Sequence, residues 1–585
     1  MPGKRGTMSF LHSRWTMWCA LAGVAAAAAV AGVATIPRRP PEPPAAEPFA
    51  IQLRDVTGET GITFRHTDGS GGNRYILESM SCGVATFDYD GDGLTDIYFP
   101  NGRPLLGTRN EGPPPKNRLY RNLGGFRFED VTERAGVGEA GYGLAVCVGD
   151  YDNDGCPDLY LSNFGPKVLY RNNGDGTFTD VTRQAGVADG EQIGAGACFL
   201  DADGDGNLDL YVANYVDFTY AKHVPETSDG FPVYTSPKAY DPSRHTFFRN
   251  RGDGTFADAT VESGIAPYPG PGMGAVCADI DNDGSTDVFV LNDGFGNFCW
   301  KNDGRGHFEE VSLAGGLKFN GDGAPVASMG VDCADYDNDG WLDFFQTSYQ
   351  GERPILFRNL GGIFEDVTRL TGAADGGFNN VKWGCGFADF DNDGAKDIFY
   401  VNGHLQDNVE WFDRTTSYED SPVLLKNQGG ARFVNVSALC GDGMKIRTVG
   451  RGVALDDLDN DGRVDIVILG SRRPAVVLRN VSPPGNHWLQ VQLRGVKTNR
   501  DGVGARVKVV AGDLIQVDEV HSGRGYQSHF GSRLHFGLGK HDRVDRIEVR
   551  WIGGGVDVLE NVRADQRLNI LEGAAGVEPL APAPP

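Results

Sequence analysis

Seven stretches of the chain carry four aspartates and a glycine in one spacing, D-x-D-x-D-G-x-x-D. They are Asp88, Asp90, Asp92 and Asp96; Asp150, Asp152, Asp154 and Asp158; Asp201, Asp203, Asp205 and Asp209; Asp279, Asp281, Asp283 and Asp287; Asp335, Asp337, Asp339 and Asp343; Asp389, Asp391, Asp393 and Asp397; and Asp457, Asp459, Asp461 and Asp465. Carboxylates at alternate positions converge when the loop curls, and the glycine permits the sharp turn. That arrangement suits a hard cation that takes six to eight oxygens, which is calcium rather than magnesium. The backbone carbonyl of position 7 would add a ligand, and this position varies freely: Leu94, Cys156, Asn207, Ser285, Trp341, Ala395 and Arg463. An EF-hand is excluded, because position 12 holds Phe99, Leu161, Val212, Val290, Gln346, Tyr400 and Ile468 where that motif needs Glu. A turn capped by its own Asp needs only one or two acids, and four within nine residues repel one another. Up to seven Ca2+ ions are therefore expected. Their role is structural, each tying the strand before its loop to the strand after it. No base recurs beside the loops as catalysis would need.

The elements that position these loops also recur. Successive motifs start 51 to 78 residues apart, the length of a four-stranded propeller blade with variable loops. Each is followed by a strand ending in Arg/Lys-Asn, at Arg121-Asn122, Arg171-Asn172, Arg249-Asn250, Lys301-Asn302, Arg358-Asn359, Lys426-Asn427 and Arg479-Asn480. A strand like FEDVT begins at Phe128, Phe178, Phe256, Phe308, Phe364 and Phe433. Its seventh copy, Leu53–Thr57, precedes every Asp motif, and none follows Asn480. That offset lets the first strand complete the last blade and close the ring. The expected fold is all-β: a seven-bladed β-propeller over residues 49–482 with an N-terminal closing strand. In the first blade the strands are expected at Gly83–Asp88, Asp96–Asn101, Asn117–Asn122 and Phe126–Thr132.

At these residues the chain resembles the FG-GAP/VCBS repeat family of calcium-binding propellers, the type found in integrin α-subunit heads. The resemblance implies that the four aspartates of each loop hold the ion, and all four match in every copy. After Pro483-Pro484-Gly485 the repeat stops, and short alternating strands separated by turn signals continue. A small β-sandwich or barrel is expected over residues 483–573, followed by a disordered Ala/Pro tail, 574–585. This segment resembles the ASPIC/UnbV domain at Asn499–Ala505, Gly523–Ser528, Leu534–Gly539 and Val549–Trp551. Propeller plus this module is the layout of the cartilage acidic protein family, whose members are secreted and bind calcium.

The chain has 585 residues and a formal net charge of −25, which argues against nucleic acid as a partner. With 40% hydrophobic residues it is not a disordered acidic chain. The 28 loop aspartates account for the excess, so the charge is mainly that of metal sites without their ions. Lys4, Arg5 and Arg14 precede an uncharged stretch, Trp15 to Ile36. Residues 1–36 read as a cleaved signal peptide or as an N-terminal membrane anchor, and 37–48 as a Pro-rich linker. Either reading places the rest in an extracytoplasmic compartment: secreted, periplasmic or anchored.

Cys82, Cys147, Cys198, Cys277, Cys333 and Cys385 lie just before Asp loops and read as small packing side chains of a crowded inner ring, with a Cys147–Cys156 disulfide as an alternative. Arg251-Gly252-Asp253 sits in a repeat hairpin and reads as a turn. His521 and His535 read as surface or core residues. Two insertions, Tyr215–Arg244 and Gly403–Pro422, bring aromatics, His223, His404 and acids to loops, where binding usually lives. The expected function is a monomeric binding or adhesion scaffold for a glycan or protein ligand, without catalytic residues. The alternative is a glycan lyase or hydrolase using the channel mouth, which paired acids or a Tyr/His pair there would favour. A third reading is an anchored assembly partner of other envelope proteins.

Overall fold

The computed structural model describes residues 49–574, except 110–111, 140 and 430–431, together with the backbone of 578–579. Seven four-stranded antiparallel blades follow one another along the chain, the fourth and fifth joined into one eight-stranded sheet where Asp293 and Phe295 pair with Ala327 and Val326. The first comprises Ala85–Phe87, Asp96–Phe99, Arg118–Asn122 and Phe128–Asp130. In every blade the second strand starts on the ninth residue of the Asp motif and the third ends on the Asn of Arg/Lys-Asn. The last sheet is completed from the other end of the chain. Leu53–Asp55 pairs with Val476–Asn480, Leu53 opposite Asn480. Ring closure by the N-terminal strand thus follows from the offset in the sequence.

The outer strands are shorter than the sequence suggests, Phe128–Asp130 rather than Phe126–Thr132. Asp130 Oδ1 accepts from the Thr132 backbone amide at 3.0 Å and from its hydroxyl at 2.6 Å. This local bond competes with the ladder and turns the chain into the helical turn Thr132–Ala135. Asp180 with Thr182 repeats it.

Inner strands pack so closely that side chains are excluded at their crossings. A Cβ on Gly330 would lie 2.6 Å from the Trp383 carbonyl, and one on Gly384 2.5 Å from that of Arg451. The nine cysteines of the described residues are free thiols, eight of them buried, and the alternative Cys147–Cys156 bond is not formed.

The C-terminal module is two four-stranded sheets. One orders Leu534–Gly539, His487–Arg494, Gln566–Leu571 and Glu578–Pro579; the other Leu514–Glu519, Arg506–Ala511, Arg543–Arg550 and Val556–Arg563. Glu578–Pro579 thus belong to a strand within the segment expected to be a disordered tail. Leu489, Val491, Val507, Val509, Phe536 and Ile547 are buried in one cluster. The module sits on the Asp-loop side of the ring, and residues 516–530 are buried without a break. They enter the propeller channel. The Val146 amide donates to the Gln527 carbonyl, Val331 and Gly525 exchange amide-to-carbonyl bonds, and the Thr86 amide donates to the His529 carbonyl. Arg524 Nε lies 2.5 Å from Asp332 Oδ1 and its Nη2 donates to the Cys333 carbonyl. His521 is a core residue, bonded through Nδ1 to the Cys277 carbonyl at 2.8 Å.

The expected signal or anchor, 1–36, and the linker, 37–48, lie outside the described residues. Among the described residues no helix is long and apolar enough to cross a membrane.

Candidate metal loops and the insertion face

In each loop the four aspartates divide into braces and free ligands. The first carboxylate accepts from the glycine amide, as Asp88 does from Gly93 at 2.8 Å and Asp389 from Gly394 at 2.7 Å. The ninth accepts through Oδ1 from the amide of the Arg/Lys-Asn asparagine, Asp96 from Asn122 and Asp465 from Asn480. The fifth accepts through Oδ1 from the amide of position 7, Asp92 from Leu94 and Asp339 from Trp341. In five of the seven loops the third carboxylate is different. Asp90, Asp152, Asp281, Asp337 and Asp459 each bury an Oδ1 that has no hydrogen-bond partner. Ligand oxygens lie within 4.8 Å of one another in the groups Asp88/Asp90/Asp96, Asp150/Asp152/Asp158, Asp201/Asp203/Asp205, Asp279/Asp281/Asp287 and Asp335/Asp337/Asp339.

Burial makes these anions costly. It pushes Asp88 up to about 6 and Asp201 and Asp335 to about 7, and holds Asp96, Asp158, Asp209, Asp343, Asp397 and Asp465 well above the ordinary carboxylate range. An unpartnered buried carboxylate oxygen beside two or three others is repaid by a cation in the same place. The donor set, all oxygen and convergent, fits a hard divalent ion.

Two features of the loops escaped the sequence reading. The Arg or Lys of Arg/Lys-Asn reaches back to its own loop: Arg121 Nε lies 2.6 Å from Asp90 Oδ2, and Arg358 Nε 2.8 Å from Asp337 Oδ2. The asparagine links blades. Its Nδ2 donates to the carbonyl of motif position 2 in the preceding blade: Asn172 to Tyr89, Asn250 to Tyr151, Asn302 to Ala202, Asn359 to Ile280, Asn427 to Tyr336 and Asn480 to Phe390, while Asn122 closes the circle on Leu458. The seven-fold invariance of Asn was the available signal, since a strand end needs no amide of its own.

The opposite side of the ring carries the insertions, and they meet. The Tyr234 amide donates to Gln406 Oε1 at 2.7 Å and Asn408 Nδ2 to the Pro232 carbonyl at 2.9 Å. Phe231 packs against Trp411 with centroids 5.8 Å apart, and Trp411 stays 67% exposed. The connection 56–84 also lies here. It is longer than 131–141, the equivalent connection of the next blade. It brings Arg74, whose Nη2 lies 2.7 Å from Asp407 Oδ1; Arg472 lies 3.4 Å from Asp407 Oδ2 and 3.3 Å from Asp68 Oδ2. Arg74 and Arg472 both hold positive φ, 57° and 55°, a strained backbone for arginine. Beneath them Glu78 accepts from Tyr234 Oη at 3.3 Å, and burial, with Asp68 nearby, pushes it up to about 7. Both acids are buried, so the paired carboxylates at the mouth lie under a lid of Arg74, Tyr234 and Arg472. His404 is buried too, bonding Gln350.

A ring of blades built on Asp loops with a module seated over them defines a class, and the comparisons agree. The FG-GAP-like repeat matches at residues 88–161, 150–212, 229–290, 279–346 and 335–400, and ASPIC and UnbV matches residues 495–577; the chain belongs to the FG-GAP repeat family and carries an ASPIC and UnbV module. Its relatives include cartilage acidic protein 1 of Homo sapiens, 26% identical over 64% of this chain and 52% of that one, and of Mus musculus, 26% over 84% and 73%. The chain thus spans about half the length of the human relative. Among solved structures, YCF48 bound to a D1 peptide aligns with a TM-score of 0.37 and 10% identity over 75% of this chain and 97% of that one. An Agrocybe aegerita lectin specific for non-reducing terminal N-acetylglucosamine aligns with 0.36 and 18% over 61% and 79%.

Proposed function

We propose that the protein is an extracytoplasmic binding scaffold, stabilised by calcium in its Asp loops, that presents the insertion face to a glycan or protein ligand. One observation carries the reading. The channel is filled by residues 516–530 and its Asp-loop side is covered, while the opposite side displays an aromatic pair with Trp411 exposed, near ion-paired arginines. Phe231 and Trp411 offer a stacking surface, and Arg74, Asp407 and Arg472 offer donors and acceptors held in place by one another. Calcium fits the orphaned Oδ1 atoms and convergent carboxylates. The ions act on the fold, since each loop joins two strands of its blade and an asparagine of the next.

The enzyme reading retains one supporting observation, the Asp68 and Glu78 pair, with Glu78 near neutrality in its titration. Their burial beneath Arg74 and Arg472 favours a structural role. Glycan and protein arrays probed with the wild-type chain and with Trp411→Ala test the proposal. Binding lost at least tenfold in Trp411→Ala, with an unchanged melting temperature, is the expected result. Binding unaffected by Trp411→Ala places the ligand elsewhere. Turnover of a bound glycan that Glu78→Gln abolishes would favour the enzyme.

A further inference from the structure

Resting on the calcium reading, the loops are not equivalent in the pose of the Arg or Lys beside them, and in blade 3 Arg249 turns to the Arg305 carbonyl instead. In blades 1, 4, 5 and 7 the Arg or Lys beside the loop bonds the outward Oδ2 atoms of positions 3 and 5. Arg121 takes Asp90 and Asp92 at 2.6 and 2.8 Å, Lys301 takes Asp281 and Asp283 at 2.6 and 2.5 Å, Arg358 takes Asp337 and Asp339 at 2.8 and 2.9 Å, and Arg479 takes Asp459 and Asp461 at 2.7 and 3.5 Å. In all four the inward Oδ1 of position 3 remains without a partner.

Blade 6 reverses this. Lys426 Nζ lies 2.7 Å from the inward Oδ1 of Asp391, 2.8 Å from Asp393 Oδ2 and 3.4 Å from Asp397 Oδ1. Its side chain is 10% exposed, against 26–38% for Arg121, Lys301, Arg358 and Arg479. The surroundings enclose it. The C-terminal module lies over this loop, with Asn486 Nδ2 on the Asp391 carbonyl, the Gly539 amide on the Asn392 carbonyl, and Gly537 so close that a Cβ there would fall 1.9 Å from Asp389 Oδ2. Lys301 shows that lysine alone does not produce the inward pose.

We infer that the Lys426 ammonium is a built-in cation that takes the metal position of the sixth loop, so that this loop is held together without calcium and the chain binds at most six ions. An ammonium is a compact point charge with three donors, and three carboxylates of one loop satisfy it. The consequence is a division of labour. Metal-dependent loops set the rigidity of most of the ring, and a metal-independent one keeps a seat for the module.

Calcium stoichiometry of the full chain, measured by native mass spectrometry and by equilibrium dialysis, tests this on the wild type, Lys426→Arg and Lys426→Met. Arginine at this position should reach the outward oxygens, as Arg358 does, and methionine leaves the site open. Both variants are expected to bind one ion more than the wild type, which binds no more than six. Seven ions in the wild type, or an equal count in the wild type and Lys426→Arg, overturns the inference. If Lys426→Met fails to fold, Lys426→Arg decides alone. No calcium in any of the proteins contradicts the calcium reading itself, a different outcome from an unchanged count.

Discussion

Tyr526 and Met80 meet inside the propeller: the phenol of the C-terminal module donates to the Met80 carbonyl at 3.0 Å, 446 residues away in sequence. The first residue enters the channel from the Asp-loop side. The second ends the helix Ile76–Met80, which lies on the insertion side with all five residues buried. Module and propeller are therefore one folding unit, and the channel is a core.

The clamp on that unit is the Arg524–Asp332 pair, 7% and 0% exposed. Arg524→Met leaves a buried carboxylate without its cation, which costs about 3–5 kcal/mol. Urea unfolding should show this loss in a single transition for both domains. Asp332→Asn combined with Arg524→Met should recover much of it. An unfolding midpoint unchanged in Arg524→Met would mean that the segment does not occupy the channel in solution.

Asparagine carries the contacts between blades. Asn359 Nδ2 donates to the Ile280 and Leu342 carbonyls at 2.7 and 3.0 Å, and its Oδ1 accepts from the Gly361 and Gly362 amides. Asn359→Ala strands these buried carbonyls, for a loss of about 2–3 kcal/mol. Exposed neighbours such as Leu360 should change stability by less than about 0.5 kcal/mol when replaced by Ala. Equal effects at the two positions would remove the asparagine ring from the account.

Glu78 makes stability fall with pH. Its carboxyl titrates near 4.5 when unfolded and near 7 in the fold, because burial penalises the anion. The folded state holds the proton more tightly, so the contribution is complete below about 4.5 and is lost as pH rises through about 7. Glu78→Gln keeps the acceptor for the Tyr75 amide and removes the titration. Denaturation at constant calcium from pH 5 to pH 8 should show the wild type losing stability relative to Glu78→Gln, by on the order of 3 kcal/mol. Parallel curves would place Glu78 in water.

Much of this was legible because it repeats. Seven Asp motifs, seven Arg/Lys-Asn ends and a displaced Leu53–Thr57 strand specify blades, their number and their closure, since local chemistry at each copy points to the same unit. What was not legible is what happens once. Gly523–Ser528 read as part of a small domain, because no periodicity says that a polar loop with Arg524 and Gln527, flanked by His521 and His529, is a channel core. The meeting of Tyr234 with Gln406 joins blades 3 and 6, far apart in sequence, through single hydrogen bonds that leave no pattern. Lys426 matches Lys301 in sequence, yet the two differ in pose. The inward pose of Lys426 depends on the module above it.

The central claim is that the Asp loops are metal-held elements of the fold. The melting temperature of the full chain, followed during titration with calcium after removal of divalent ions, tests it most directly. Ions that bind only the folded state raise the midpoint with concentration by mass action. The account predicts a large fall on chelation, restored by calcium and restored less by magnesium at equal concentration. Superimposable melting curves with chelator and with calcium would contradict it.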